Sequence, residues 1–473
     1  MLKVLKDKKM IAIFIVSILY LVLIVFDVPF IRGIYDPIFP SNWPYYYVNT
    51  WAKIWMPIAS YFIVVVIFLW GYKNLFKRNL RTKLFYWIFF ILSIFVLQIS
   101  YVYFSRFGIT VLFQRIVNPG MNGYFSSAVK VETSQYLSNF SDTIDTLDQH
   151  ARDHPPGSIL LIKSVNSIVE KLHIGDVLIH VIPVPDGDVR IFWDALSVNE
   201  RVSAILLAFF YHLTAASNIL LFYVLSKIFF KPKIALSLAF LSGFIPSVSF
   251  FALKFDPFYL ALLLVAAIFF THAVKSNSQK LFYLAGAISS VGLFFSYSII
   301  PALVILYVFL ISVRGRKYGV LLNNTVCLSI GFLIPILLFS FMGYNSFSAF
   351  LPIVNNQAPR SYLQWVFYNP FDFFQYFGVP LTCLFFICVK SIFKSENNEL
   401  LKKLMISFSA FFILLVLSGI SRAEVGRIWM PLMIFPLLAI GFYQKISIKF
   451  VIMVSLLLFI QNIIMTEFWV PVW

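Results

Sequence analysis

The stretch YKNLFKRNLRTKLFYWIFFILSIFVLQISYVYF, residues 72–104, decides the fold class. Its first twelve residues carry five Lys or Arg, and the remaining 21 carry no charge at all. An uncharged run of about 20 residues is the length that spans a bilayer core as a helix. Basic residues packed against one end of such a run mark the side that stays in the cytoplasm.

The same alternation repeats along the chain. Apolar runs lie near residues 10–27, 55–72, 84–104, 202–226, 234–252, 257–273, 281–297, 299–313, 319–341, 377–390, 404–420, 429–443 and 448–466. Of the 473 residues 60% are hydrophobic and only 12% charged, more apolar surface than one aqueous core can hide. The reading is an all-α polytopic membrane protein with about 13 transmembrane helices. With Met1 inside, 14 of the 37 basic residues fall on the outer face, leaving 23 inside beside only Asp7, Glu396 and Glu399 of the 20 acids. That bias places the N-terminus in the cytoplasm and the C-terminal TEFWVPVW outside. The net charge of +17 is then an inner-leaflet feature, and nucleic acid is not an expected partner. The first apolar run lacks a small-residue cleavage site and reads as a retained anchor. Cys327, Cys383 and Cys388 fall within apolar runs and have no metal-ligand spacing.

Polar chemistry gathers outside. The outer segment 105–200 reads as short interfacial helices, with Phe125, Val129, Tyr136, Phe140, Ile144 and Leu147 as one apolar stripe. Within it, HARDHPPG (His150 to Gly157) places two imidazoles, a guanidinium and an acid before a Pro-Pro-Gly corner. That corner opens an amphipathic helix, SILLIKSVNSIVEKL. Ser197 to Glu200 has the form of a capping box at the start of the fourth span. Asp256 stands at an outer span mouth in SFFALKFDPFY, either as a cap before Pro257 or as a reactive acid. SRAEVGRIW adds Arg422, Glu424, Arg427 and Trp429; Glu424 and Arg427 are three apart, so an internal ion pair is the simple alternative. Arginine forks beside a bilayer suit a lipid-linked phosphate. The tryptophans Trp43, Trp365 and Trp429 read as interfacial anchors or as stacking platforms for a sugar. The spans hold few ionisable groups apart from His212 and His272, which speaks against an ion-coupled carrier. No Walker or dinucleotide motif is present.

On these motifs the chain resembles the GT-C superfamily of membrane glycosyltransferases, which includes protein O-mannosyltransferases and aminoarabinose transferases. The likeness rests on NGYF (Asn122 to Phe125), HARDHPPG, IPSVSFFALKFD and AEVGRIW, and covers residues 84–443. It implies an N-terminal two-span segment, 1–83, a GT-C-like module, 84–443, with the outer loop 105–200, and a last span with its outer tail, 444–473. It further implies sugar transfer from a polyprenyl-phosphate donor to a glycan, lipid or protein acceptor on the extracytoplasmic face of a bacterial cell membrane. A divalent cation, Mg or Mn, is a possible helper, its ligands unknown. A polymerase or ligase of lipid-linked glycans and a flippase are the alternatives.

The expected site is Asp256, His154, His150, Asn122 and Glu424 for chemistry, with Arg152, Arg422, Arg427, Tyr124 and Trp429 for the lipid phosphate and substrate. In the family an acid commonly follows the span before the long loop, whereas this chain has Asn122 there. An amide orients a hydroxyl but does not take its proton. Glu132, Asp148, Asp153 and Asp256 are the remaining candidate bases, Asp256 foremost.

Overall fold

The structure, a computed structural model, describes residues 8–33, 45, 50–106, 108–181, 189–346, 350, 360–394, 398–443 and 446–469. Trp43 and the tail beyond Trp469 lie outside them. Among the described residues the chain is helical throughout, with no β-strand and one isolated bridge between Tyr45 and Trp469.

Nine of these helices are long and apolar enough to cross a membrane, or ten if the bent pair Tyr362–Phe377 and Val379–Phe393 forms one span. The protein is therefore an integral membrane protein by length and composition. Other apolar segments fold as shorter pieces: Pro232–Ser242 with Pro246–Phe250, Gln279–Phe295, and Met430–Ile440. Proline explains the first break, because Pro246 supplies no amide hydrogen and disfavours a helical residue before it.

Burial separates centre from rim. In Ile448–Phe468, 67% of the most apolar stretch is buried, against 22% in Tyr318–Phe341. Along the latter, Leu333, Ile334, Leu337 and Leu338 are 46–58% exposed, a stripe that water would reject and lipid tails accept. Its inner side packs closely on Gln279–Phe295. A Cβ on Gly286 would sit 2.1 Å from the Leu328 carbonyl, and one on Gly331 would sit 2.1 Å from that of Tyr283. Bare glycines thus let the two backbones touch, which is how helices gain dispersion contact where lipid provides no hydrophobic drive.

The bend between Tyr362–Phe377 and Val379–Phe393 measures 106° and falls at Gly378, whose φ is +105°. A bend frees backbone groups, and Gln461 of the central helix takes them up. Its Nε2 donates to the Gln375 carbonyl at 2.9 Å, and its Oε1 accepts from the Val379 amide at 3.0 Å. Unpaired groups at that depth would each cost several kcal/mol, roughly, in hydrocarbon.

Loops sort to two ends. At one, Lys275 donates to the Ile228 carbonyl, Arg314 to that of Val274 and Asn398 to that of Phe229. At the other lie residues 121–158, 250–256 and 419–429. Segment 105–200 is a string of short helices; Phe125, Tyr136, Phe140, Ile144 and Leu147 are buried, while Val129 is 38% exposed. The expected continuous stripe is broken after Lys130, where the helix stops at extended Val131 and the register restarts at Thr133. The Ser197–Glu200 capping box forms in full at the head of Val198–Ser226.

Candidate functional site

Three sequence stretches converge at the loop end that gathers residues 121–158, 250–256 and 419–429. The first is the corner around HARDHPPG. Asp148 accepts from Ser127 at 3.2 Å and from Lys130 at 3.2 Å, and is also bonded by Ser126, so it fastens this corner to the Tyr124–Lys130 helix. One candidate base is thereby committed to a structural role. Glu132 is exposed on the surface. His154 lies edge-on to Tyr124, ring centroids 5.4 Å apart, and stacks toward Tyr259 at 6.1 Å. Tyr259 in turn shares a 2.8 Å hydrogen bond with Ser158, in the first turn of Gly157–Lys171.

The second stretch is the turn before Asp256–Ser276. Asp256 is the first residue of that helix and 9% exposed, and no side chain caps the helix at Phe255. Its carboxylate sits where the helix dipole favours negative charge. Two residues earlier, Lys254 is 3% exposed and its Nζ donates to the Met121 carbonyl at 3.4 Å, beside buried Asn122. Arg115 approaches from segment 105–200 and donates to the Phe250 carbonyl at 3.1 Å.

The third stretch is SRAEVGRIW. Glu424 and Arg427 form the ion pair expected from their spacing, Nη2 to Oε2 at 2.6 Å, with side chains 11% and 12% exposed. Ala423 and Glu424 both occupy the left-handed region, φ 79° and 57°, a conformation that L residues adopt only when their surroundings impose it.

Mutual electrostatics tie the groups into one site. Burial alone would raise the Glu424 carboxyl, but Arg427, His150, Lys254 and Arg360 hold it below the usual carboxylate range. Burial likewise works against the charge of Arg427, yet Glu424 and Asp256 keep its guanidinium above its ordinary value. Burial and Arg427 push the Lys254 ammonium well down. The imidazoles respond to the same field: burial, then Arg427, lowers His150 to about 4 and His154 to about 3. Both are neutral at physiological pH. His154 Nδ1 and Arg427 Nε are buried without a hydrogen-bond partner.

Several expected residues have their side chains engaged in other contacts. Arg152 turns back to the Leu147 carbonyl at 3.2 Å. Arg422 and Arg360 each donate to the other's carbonyl, at 2.6 and 2.7 Å, and Arg422 lies over the Tyr362 ring. Trp429, 1% exposed, packs between Phe373 and Phe412, and Trp365, 2% exposed, packs on Tyr368. Neither indole is free to present a face to a sugar. The sequence missed Lys254, Tyr259 and Ser158. Lys254 reads as an ordinary loop cation until its burial is seen.

Among the described residues no three His, Cys, Asp or Glu side chains cluster as a metal site would require. No protein-family model matches the chain, and no curated protein sequence matches it significantly.

Proposed function

We propose that the protein is a GT-C-type glycosyltransferase that moves a sugar from a polyprenyl-phosphate donor to an acceptor hydroxyl on the extracytoplasmic face. The observation that carries the reading is the gathering, at one end of an apolar helical bundle, of two acids, two neutral imidazoles and buried basic groups from distant stretches. Counting Arg427, Lys254 and Arg115 against Asp256 and Glu424, the site holds one more basic than acidic group. Burial and Arg427 disfavour the charge on Lys254, and an anion such as a lipid phosphate at the head of a span would favour its return.

The reaction follows from the chemistry of the groups. The acceptor oxygen bonds to the anomeric carbon as the bond from that carbon to the phosphate oxygen breaks. Asp256, as carboxylate, takes the acceptor proton, and the leaving phosphate gains one negative charge beside Arg427 and Lys254. Neutral His150 and His154 donate or accept hydrogen bonds at the sugar without adding charge. In this reading the shorter and bent apolar helices also cross, giving thirteen spans with the N-terminus cytoplasmic and the C-terminus outside. The organism would be bacterial.

The test is transfer of radiolabelled sugar from a panel of polyprenyl-phosphate sugars by the purified protein, alongside His154→Ala, Asp256→Asn, Lys254→Met and Arg427→Ala. Transfer or slow donor hydrolysis by the parent, lost in these variants, supports both donor class and site. Turnover untouched by all four removes the site from the proposal. If no donor is consumed while labelled lipid crosses a vesicle bilayer, the enzyme reading gives way to a flippase.

A further inference from the structure

The turn that carries Glu424 and Arg427 is held through its backbone by two residues of a neighbouring helix. Asn369 and Asp372 lie three apart on Tyr362–Phe377, hence on one face of the helix, and both are 1% exposed. Asn369 Nδ2 donates to the Ser421 carbonyl at 2.7 Å, and Asp372 Oδ2 accepts from the Gly426 amide at 2.9 Å. The two grips bracket Ala423 and Glu424, the consecutive left-handed residues. Ser247 completes the hold by donating to the Gly426 carbonyl at 2.6 Å, so both polar backbone groups of Gly426 are engaged. A Cβ at Gly426 would lie 2.3 Å from the Tyr376 ring, one turn past Asp372, so only glycine lets the turn close onto that helix. Asp372 is itself oriented: Gln375 Nε2 donates to its Oδ1 at 2.9 Å, and Tyr20 reaches Gln375 Oε1 at 3.1 Å.

We infer that Asn369 and Asp372 are positioning residues, a two-point clamp that stretches the 421–426 turn into its left-handed form and thereby aims Arg427 and Glu424 into the site. This rests on the reading above that the Glu424–Arg427 pair belongs to the reactive centre. The clamp lies on Tyr362–Phe377, the first helix of the bent pair.

The experiment is amide hydrogen exchange on full-length protein in detergent micelles, with sugar transfer measured on the same preparations. In Asp372→Asn the new amide group faces the Gln375 donor, and exchange over residues 421–427 rises about tenfold or more. Asp372→Asn with Gln375→Glu restores donor to acceptor and keeps the total charge, and exchange returns to within about threefold of the parent. Asn369→Ala, which removes one grip only, gives an intermediate rise and serves if Asp372→Asn does not fold. Asn324→Ala, at the opposite end of the bundle where it bonds Asn277, controls for general destabilisation and leaves this segment unchanged. In transfer, the clamp variants lower kcat with KM held, and Asp372→Asn adds nothing to Arg427→Ala. Parent-like exchange in Asp372→Asn and Asn369→Ala, or a double variant no better than Asp372→Asn, overturns the clamp. A parent that moves no sugar refutes the proposed function alone, since the exchange results stand independently.

Discussion

Substituting Glu424 by Gln would leave the Arg427 guanidinium buried with its nearest counter-charge gone. The pair is 2.6 Å apart and both side chains are about one-tenth exposed, so solvent screens it little. Two unit charges about 4 Å apart at an effective dielectric of 20 attract by about 4 kcal/mol, and breaking a buried pair from one side costs about 3–5 kcal/mol. Asp256 still favours the charge on Arg427, which places the cost at the low end, about 3 kcal/mol. That is roughly a hundredfold in the unfolding constant. Replacing both partners, Glu424→Gln with Arg427→Met, removes the stranded charge and costs less than the two single changes summed. The coupling in this double-mutant cycle is about 2 kcal/mol or more. The assay is reversible unfolding of purified protein by SDS in mixed micelles, followed by circular dichroism. A loss under about 1 kcal/mol for Glu424→Gln, the value of an exposed pair, or strictly additive substitutions, would refute the claim that this pair is buried and coupled.

Three further outcomes are expected. Because His150 and His154 are held below the unfolded value near 6.5, their contribution to stability is present above that pH and is lost as pH falls toward 4 and 3. Each gives a slope of up to about 1.4 kcal/mol per pH unit, and His150→Asn with His154→Asn flattens the unfolding profile between pH 6.5 and 4; an unchanged profile contradicts it. Gly286→Ala forces the rim helices apart and lowers the apparent Tm by several degrees, while Gly319→Ala, with nothing within 4 Å, does not; equal Tm values would show that the helices are not in backbone contact. Ser197→Ala removes a complete capping box, costing about 1 kcal/mol, seen as faster exchange of the Glu200 amide.

The class of the protein was readable because a charge-free run of 21 residues has few fates, and the helical segments fall where the apolar runs do. Continuity was less readable. Stretch 234–252 is uncharged throughout, and the Pro246 backbone splits it. The pairing of Glu424 with Arg427 followed from spacing along one turn, whereas the gathering of His150, Lys254 and Asp256 around it depends on contacts across more than a hundred residues. Lys254 carried no sequence signal of burial. Asp372 did carry one, an acid set among rings in YNPFDFFQY, yet its partner is a backbone amide, which has no letter of its own.

The most enclosed of the nine candidate spans, Ile448–Phe468, is also the helix nearest the C-terminus among those described. During synthesis it leaves the ribosome after every helix it touches, among them Lys8–Val25, Leu80–Phe104 and Val379–Lys394. Its neighbours must therefore wait in the bilayer around a seam that lipid or an insertase fills, with the bend at Gly378 still lacking Gln461. Pairs such as Gln279–Phe295 with Tyr318–Phe341 pack before it emerges, and its own enclosure comes last among the described helices. A premature stop before residue 448 would leave the bend at Gly378 without Gln461, the kind of unsatisfied intermediate that membrane quality-control proteases remove.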